Sequence, residues 1–300
     1  MKRLICALLA FSFAFAEDAK EDDKAVRMLA ALKYAYADGG AFFYELGDLE
    51  FVAIKDADTN NGKEILENPD APIVKKTLPD NQNPSTINVF LVRAKTAQTK
   101  MPTVLVDTGL GKEIFDNLDA IGVAPEAIDI VAITHMHGDH IGGLTKNGKP
   151  VFASARVLLP KRDLEYWLGS GEENKKAAQA LQKAYGARLS TFEWGDKIAP
   201  NILAIKAEGH TPGHTAYEIE SNGEKLLIVS DLIHSLKTQM ADPAQSVIYD
   251  VDPVLAASTR LKLLNYAANA DITIAGMHIR FPGIGKVVKD KNAFRFKPIN

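Results

Sequence analysis

Residues His135-Met136-His137-Gly138-Asp139-His140 follow an apolar run at 128–133. Three imidazoles and a carboxylate crowd into six positions at the end of a predicted buried strand. Burying them unpaired would be costly, and packing a core asks for none of them. A divalent metal removes the difficulty, because neutral imidazole and carboxylate are ligands it prefers. The fold must therefore bring a strand end and its turn to a place where further ligands can meet them. The period-two spacing aims His135 and His137 to one side of the chain. Gly138 then turns the backbone, so that Asp139 and His140 can point to a neighbouring position.

The remaining histidines and one aspartate repeat the placement. His210 follows a predicted strand at 202–206, within Gly209-His210-Thr211-Pro212-Gly213-His214; Asp231 follows 226–229, and His278 follows 272–275. If these strands share an edge, the side chains converge on two adjacent metals. His135, His137 and His210 would hold one, Asp139, His140 and His278 the other, with Asp231 bridging. His214, one helical turn beyond His210, is expected to hydrogen-bond the backbone or a ligand instead. Asp107, after a strand at 103–106, is expected to orient a ligand imidazole or to be a plain turn residue. His234 either donates to a developing oxyanion or lines the pocket. Phe42, Phe43, Tyr44, Trp167, Phe281 and the loop Ile284-Gly285 read as core.

Periodicity predicts a helix over 25–36, strands at 42–44 and 49–54, and then a long polar loop over 56–84. Strands follow at 87–93 and 103–106, a helix at 113–121, and the buried strand at 128–134. Next come a strand at 157–159, helices at 164–168 and 172–185, and strands at 202–206, 216–220 and 226–229. Ser221-Asn222-Gly223 predicts a hairpin turn. Asp252 and Pro253 open a helix to about 269 as N-cap and first helical residue, and 272–275 is the final predicted strand. Strand-rich stretches with interspersed helices occur twice. This implies two similar halves, each a sheet covered by helices, packed sheet to sheet.

The N-terminus reads as a secretory signal peptide over 1–16: a basic start at Met1-Lys2-Arg3, an apolar run to 15, and the small-x-small site Ala14-Phe15-Ala16 before Glu17-Asp18. An extension over 17–40 carries the first helix, and 41–300 forms a single domain. The lone cysteine, Cys6, lies in the leader. The expected mature chain is exported to the periplasm without disulfides, so any metal site must use nitrogen and oxygen. Basic residues number 35 against 38 acidic, and the leader takes Lys2 and Arg3 with it. A mildly acidic surface with no basic run speaks against nucleic acid as a partner. No apolar stretch after the leader is long enough to cross a membrane. A small-molecule substrate is the expected partner, and a homodimer stays open.

The joint pattern His-x-His-x-Asp-His, Gly-His-Thr-Pro-Gly-His, an aspartate after a strand and a late Gly-x-His resembles the metallo-β-lactamase superfamily. The resemblance covers nearly all of the chain from about Ile87 onward. Ser230-Asp231-Leu232-Ile233-His234, Asp242-Pro243, the stretch 250–253 and Phe281-Pro282-Gly283 look like the branch containing methyl parathion hydrolase; quorum-quenching lactonases come next. The resemblance implies an α/β (α+β) fold, a four-layer αββα sandwich, with a dinuclear centre and hydroxide-based hydrolysis. Zinc is the default ion; manganese, cobalt or iron also suit such a site. Zinc β-lactamases place a cysteine ligand near Asp231, which this chain lacks, and lactonases commonly carry tyrosine where His234 stands. A carboxylate stands at His137 in the di-iron flavoproteins of this fold. The expected activity is a binuclear metal-dependent hydrolase acting through a metal-bridging hydroxide on small hydrophobic esters, lactones or phosphotriesters. Asp139 or Asp231 would accept a proton, and His234 would donate. The alternatives are a non-catalytic periplasmic zinc-binding protein, or a mononuclear iron oxygenase on the same fold.

Overall fold

The structure, a computed structural model, describes residues 39–299. The predicted leader, Cys6 and the helix at 25–36 lie outside the described residues.

Two seven-stranded sheets are built in chain order. The first comprises β1 (Ala41–Leu46), β2 (Leu49–Asn60), β3 (Pro84–Ala94), β4 (Val104–Val106) and β5 (Ile130–Ala132). After a small hairpin of β6 (Thr145–Lys146) and β7 (Lys149–Pro150), β8 (Arg156–Pro160) and β9 (Leu189–Phe192) complete it. The second comprises β10 (Lys197–Ala199), β11 (Ile202–Lys206), β12 (Thr215–Ser221), β13 (Glu224–Ile228), β14 (Thr273–Ala275), β15 (Ile284–Asp290) and β16 (Ala293–Pro298). β4, β5, β8 and β9 run parallel, as do β13 and β14; the other pairings within the two sheets are antiparallel.

Strand alternation generates the layers. Phe51, Phe90, Val106, Ala132 and Leu158 of the first sheet share one buried cluster with Tyr217, Ile219, Leu226 and Ala275 of the second. Their chain neighbours Val52, Leu91, Leu105, Val131 and Val157 face the other way, onto Leu118, Trp167 and Leu181 of the helices Ile114–Ala120, Lys161–Gly169 and Glu172–Tyr185. On the far side, Leu227 and Ile274 meet Leu263, Leu264 and Ala267 of helix Pro253–Asn269. The period of two thus sorts each strand into an inter-sheet face and a helix-covered face, giving the αββα sandwich. Helix Pro253–Asn269 starts as the sequence predicts, with Pro253 in its first turn and the Asp252 carboxylate accepting from the Leu255 amide at 2.9 Å. The hairpin at Asn222-Gly223 forms with both residues at positive φ.

Three expectations change. The stretch 56–84 is not a loop: β2 continues to Asn60, a short helix occupies Pro72–Thr77, and Ile65, Leu66, Val74 and Leu78 close a small core on Val247. Strand 272–275 is not the last, since β15 and β16 follow it. Ile284 and Gly285, expected in a loop, open β15 and pair with Ala275 and Ile274.

Candidate metal centre

Each strand end contributes to one cluster at a common edge of the two sheets. After β5 the chain runs through Thr134 to His137 and into the single turn Gly138–Ile141, which carries Asp139 and His140. His135 Nε2 lies 2.9 Å from His137 Nδ1, which lies 3.0 Å from His210 Nε2. Three ring nitrogens therefore converge on one point. Asp231 Oδ2 lies 3.3 Å from His210 Nε2 and 3.6 Å from His135 Nε2. The same oxygen lies 3.1 Å from His278 Nε2, and Oδ1 lies 3.1 Å from His140 Nε2. Asp139 faces His278 at 3.4 Å and His140 at 3.8 Å. Among the described residues, three sets of donors lie close enough to hold an ion: His135, His137 and His210 with Asp231; Asp139, His140 and His278; and Asp231 with His234 and His278. Asp231 lies against both of the first two.

The backs of the rings are held by the protein. Asp107, in left-handed backbone at φ 60°, accepts from the Thr134 amide and hydroxyl, each at 2.7 Å, and from His140 Nδ1 at 2.6 Å. That leaves His140 Nε2 buried, facing the cluster without a hydrogen-bond partner. An orphaned buried nitrogen among convergent imidazoles and carboxylates fits a divalent ion and little else. His214 behaves as expected: its Nδ1 donates to the Ala207 carbonyl at 2.7 Å, and its Nε2 accepts from the Asp231 amide at 3.2 Å. Its ring therefore fixes the Asp231 backbone and offers no lone pair to a metal.

Sequence reasoning assigned no role to three residues that hold this arrangement. Asp250 accepts from His210 Nδ1 at 2.8 Å. Asp163 accepts from the Met136 amide at 2.9 Å and the Gly213 amide at 2.7 Å, tying the two histidine-bearing loops together. Arg260, 1% exposed, donates to the carbonyls of Leu232, Pro243 and Gln245 and lies 3.7 Å from Asp250. A buried acid at the end of a polar loop carries no sequence mark that separates it from a surface acid.

The electrostatics divide the imidazoles. Burial, with His140 and His210 beside them, holds His135 well below the usual histidine range and draws His137 to about 3. Burial opposes protonation of His210, but Asp231 and Asp250 raise it to about 9; the carboxylates around His140 and His278 outweigh burial in the same way. Asp231 is buried, yet the surrounding imidazoles hold it well below the carboxylate range.

A cleft of about 300 Å³ opens over the cluster, with Ile65, Ser85 and Tyr249 in its walls. His234 forms another wall. Its Nε2 donates to Asp231 Oδ2 at 3.0 Å, its ring lies nearly parallel to His278 at 5.0 Å, and its Nδ1 has no partner. Of the aromatics read as core, Trp167 is buried edge-on to His137 at 5.4 Å. Tyr249, which no motif singles out, reaches the cleft.

The chain is similar to proteins already known. Ribonuclease TTHA0252 of Thermus thermophilus is 32% identical over 166 residues, 52% of this chain and 38% of that relative. The chain spans less than two thirds of the length of the curated relatives it matches first. Among solved structures, the hydrolase AbOPH of the beta lactamase superfamily is 29% identical with a TM-score of 0.78, over 87% of this chain and 98% of that one. AidC, a dizinc quorum-quenching lactonase solved with a product, is 26% identical with the same TM-score and the same two coverages. The family model of the metallo-beta-lactamase superfamily matches residues 83–278, from the first residues before β3 to the last histidine of the cluster, and this chain belongs to that superfamily of hydrolases.

Proposed function

We propose that this chain is an exported, periplasmic, binuclear metallo-hydrolase acting on small hydrophobic esters, lactones or phosphotriesters. The observation that carries this reading is the shared carboxylate: Asp231 Oδ1 faces His140 while Oδ2 faces His210 and His278. Divalent ions, zinc by default and manganese, cobalt or iron by supply, would provide a nucleophile drawn from water near neutral pH and polarise the carbonyl or phosphoryl oxygen. His135, His137 and His210 would hold one ion, Asp139, His140 and His278 the other, with Asp231 between.

The chain's own groups then divide the work. Asp139 has a side chain 29% exposed to the cleft, so it is the acid placed to take a proton from water entering there. Asp231 is a second acceptor, though its position between the donor groups ties it to holding them. Burial draws His234 to about 4, so it is neutral and offers one N–H. That N–H, given to Asp231 at 3.0 Å, is the donor for which an oxygen gaining charge in the cleft would compete. The open cleft above the donors favours catalysis over a closed zinc buffer, in which protein would fill every coordination position. Closeness of His140 and His278 to Asp139 and Asp231 favours two ions over a single-iron oxygenase.

The test is metal reconstitution followed by a hydrolysis screen. Ions per chain are counted, and paraoxon-like triesters, acyl lactones, aryl esters and β-lactams are offered, with single-stranded RNA included because of the ribonuclease relative. Two ions per chain and turnover of an ester, lactone or triester are expected. Two ions with no hydrolysis of any of these sinks the reading, and RNA cleavage alone replaces it.

A further inference from the structure

We propose that the substrate carries an anionic group, which Arg280 and Lys237 hold in a side pocket of the metal cleft. The proposal rests on the hydrolase reading and narrows it, from hydrophobic esters to those with an acid at one end. Ser85 and His278 line the main cleft and also a second cavity of about 140 Å³. A molecule whose scissile bond lies at the donor cluster can therefore extend one arm past His278. The remaining walls of the side pocket are Gln82, Asn83, Pro84, Leu236, Lys237 and Arg280.

Two cations line this space and no carboxylate does. Neither Lys237 nor Arg280 makes an ion pair among the described residues; both are exposed, and other surface cations such as Lys76 and Lys146 are unpaired too, so it is their place around this cavity that sets them apart. Two cations and no carboxylate around one small cavity beside the metal cleft favour an anion there. Arg280 brings a planar donor fork suited to a carboxylate or phosphate, and Lys237 adds a point charge.

The backbone carrying both cations is fixed. Asn88 Nδ2 and Thr86 Oγ1 donate to the Ile279 carbonyl at 2.7 and 2.8 Å, so β3 anchors the residue before Arg280. The Gln239 side chain accepts from the His234 and Ser235 amides, and Asn83 Nδ2 donates to the His234 carbonyl at 3.1 Å, which anchors the turn before Lys237. The backbone therefore needs little ordering when a ligand enters, and the cost of binding falls on the two exposed cationic side chains.

The test compares 4-nitrophenyl valerate with mono-4-nitrophenyl glutarate, which share a leaving group and differ in a terminal carboxylate, on the zinc-loaded full chain. The glutarate ester is expected to have a kcat/KM at least tenfold higher, mostly through KM, and the preference to shrink in 1 M salt. In the double variant Arg280→Met, Lys237→Met the ratio of the two substrates falls to about one. A wild-type ratio of one or less, or a ratio that survives in the double variant, overturns the proposal.

A binding arm separates this outcome from failure of the hydrolase reading. Glutarate and glycerol 3-phosphate are titrated calorimetrically against valerate on the same zinc-loaded proteins. Tenfold tighter binding of either dianionic probe, lost in the double variant, upholds the anion pocket even where no ester turns over, and the tighter probe tells carboxylate from phosphate. Equal binding of all three overturns it.

Discussion

Asp250→Asn is the sharpest probe of how this fold holds a metal. The carboxylate serves separate donors on separate oxygens: His210 Nδ1 at 2.8 Å on Oδ1, and the Val247 amide at 3.0 Å with Arg260 at 3.7 Å on Oδ2. Asparagine has nearly the same shape but one acceptor, so its NH2 must face an N–H or the guanidinium. The variant loses a charge-assisted hydrogen bond worth about 1.5–3 kcal/mol and strands a buried donor at about 1–3 kcal/mol. It also removes the only acid within ion-pair distance of Arg260 among the described residues. Breaking such a buried pair costs about 3–5 kcal/mol in total. For the metal, losing the partner behind a ligand imidazole costs about 10–100-fold in affinity. The assay is urea unfolding of the chelator-treated chain, then zinc titration of wild type and variant. Burial opposes ionisation of Asp250, but its bond to His210 holds the carboxyl below its usual range. Its stabilisation is therefore present above the unfolded carboxylate pKa, about 3.9, and lost as pH falls through the lower folded value. The variant should accordingly be flatter in acid than the wild type. Metal-free stability within about 0.5 kcal/mol of wild type, together with unchanged zinc affinity, would refute the reasoning.

Asp231→Asn and His140→Ala should each bind one ion fewer, by elemental analysis, and lose about 100-fold or more in turnover; unchanged turnover in both contradicts a two-metal scheme. Gly209→Ala should cost about 2–4 kcal/mol in unfolding free energy and loosen zinc, because Gly209 sits at φ 125° and an added Cβ would fall on the backbone of Ala256. His210, raised to about 9, carries a proton at pH 7 in the metal-free fold that an ion must displace. Zinc affinity should thus rise from pH 7 to 9, with proton release seen as a calorimetric enthalpy that varies with the buffer. No buffer dependence would contradict the protonated starting state.

The donors were legible because each is announced locally. Histidine after an apolar strand is rare without a reason, and the spacing at 135–140 states which side chains share a side. The rings' supports were not legible, because their contacts run between distant segments. Asp250 reaches back forty residues to His210, Asp163 joins Met136 to Gly213, and Arg260 enters from a helix whose own pattern gives no reason to bury it. The stretch 56–84 reads as a loop for a related reason. Ile65, Leu66, Val74 and Leu78 are too widely spaced for a periodic signal, and their core closes only when Val247 arrives from the second half. β15 and β16 carry too few apolar residues for a clear alternation: Ile284, Val287 and Phe294 are their buried apolar side chains, β15 lies between β14 and β16, and of the two only β16 is a sheet edge.

Those unannounced supports also explain how so much charge can be buried before an ion is bound. Asp231 and Asp139 face the cluster, with Asp107 and Asp250 behind two of its rings, and buried Arg260 lies beside Asp250. Four carboxylates this close would repel strongly at low dielectric. The fold answers with protons: His140, His210 and His278 are all raised, and each sits against the carboxylates that raise it. His135 and His137, pushed the other way, keep free lone pairs. In the metal-free site His210, raised to about 9, is thus an imidazolium paired with Asp231 and Asp250. His135 and His137 would offer a divalent ion two neutral ligands, and the proton on His210 would have to leave for that ring to join them. The proton on His210 makes metal uptake depend on pH, and on the proposed two-ion reading the donors His135, His137 and His210 should fill before Asp139, His140 and His278, which a stepwise zinc titration would show.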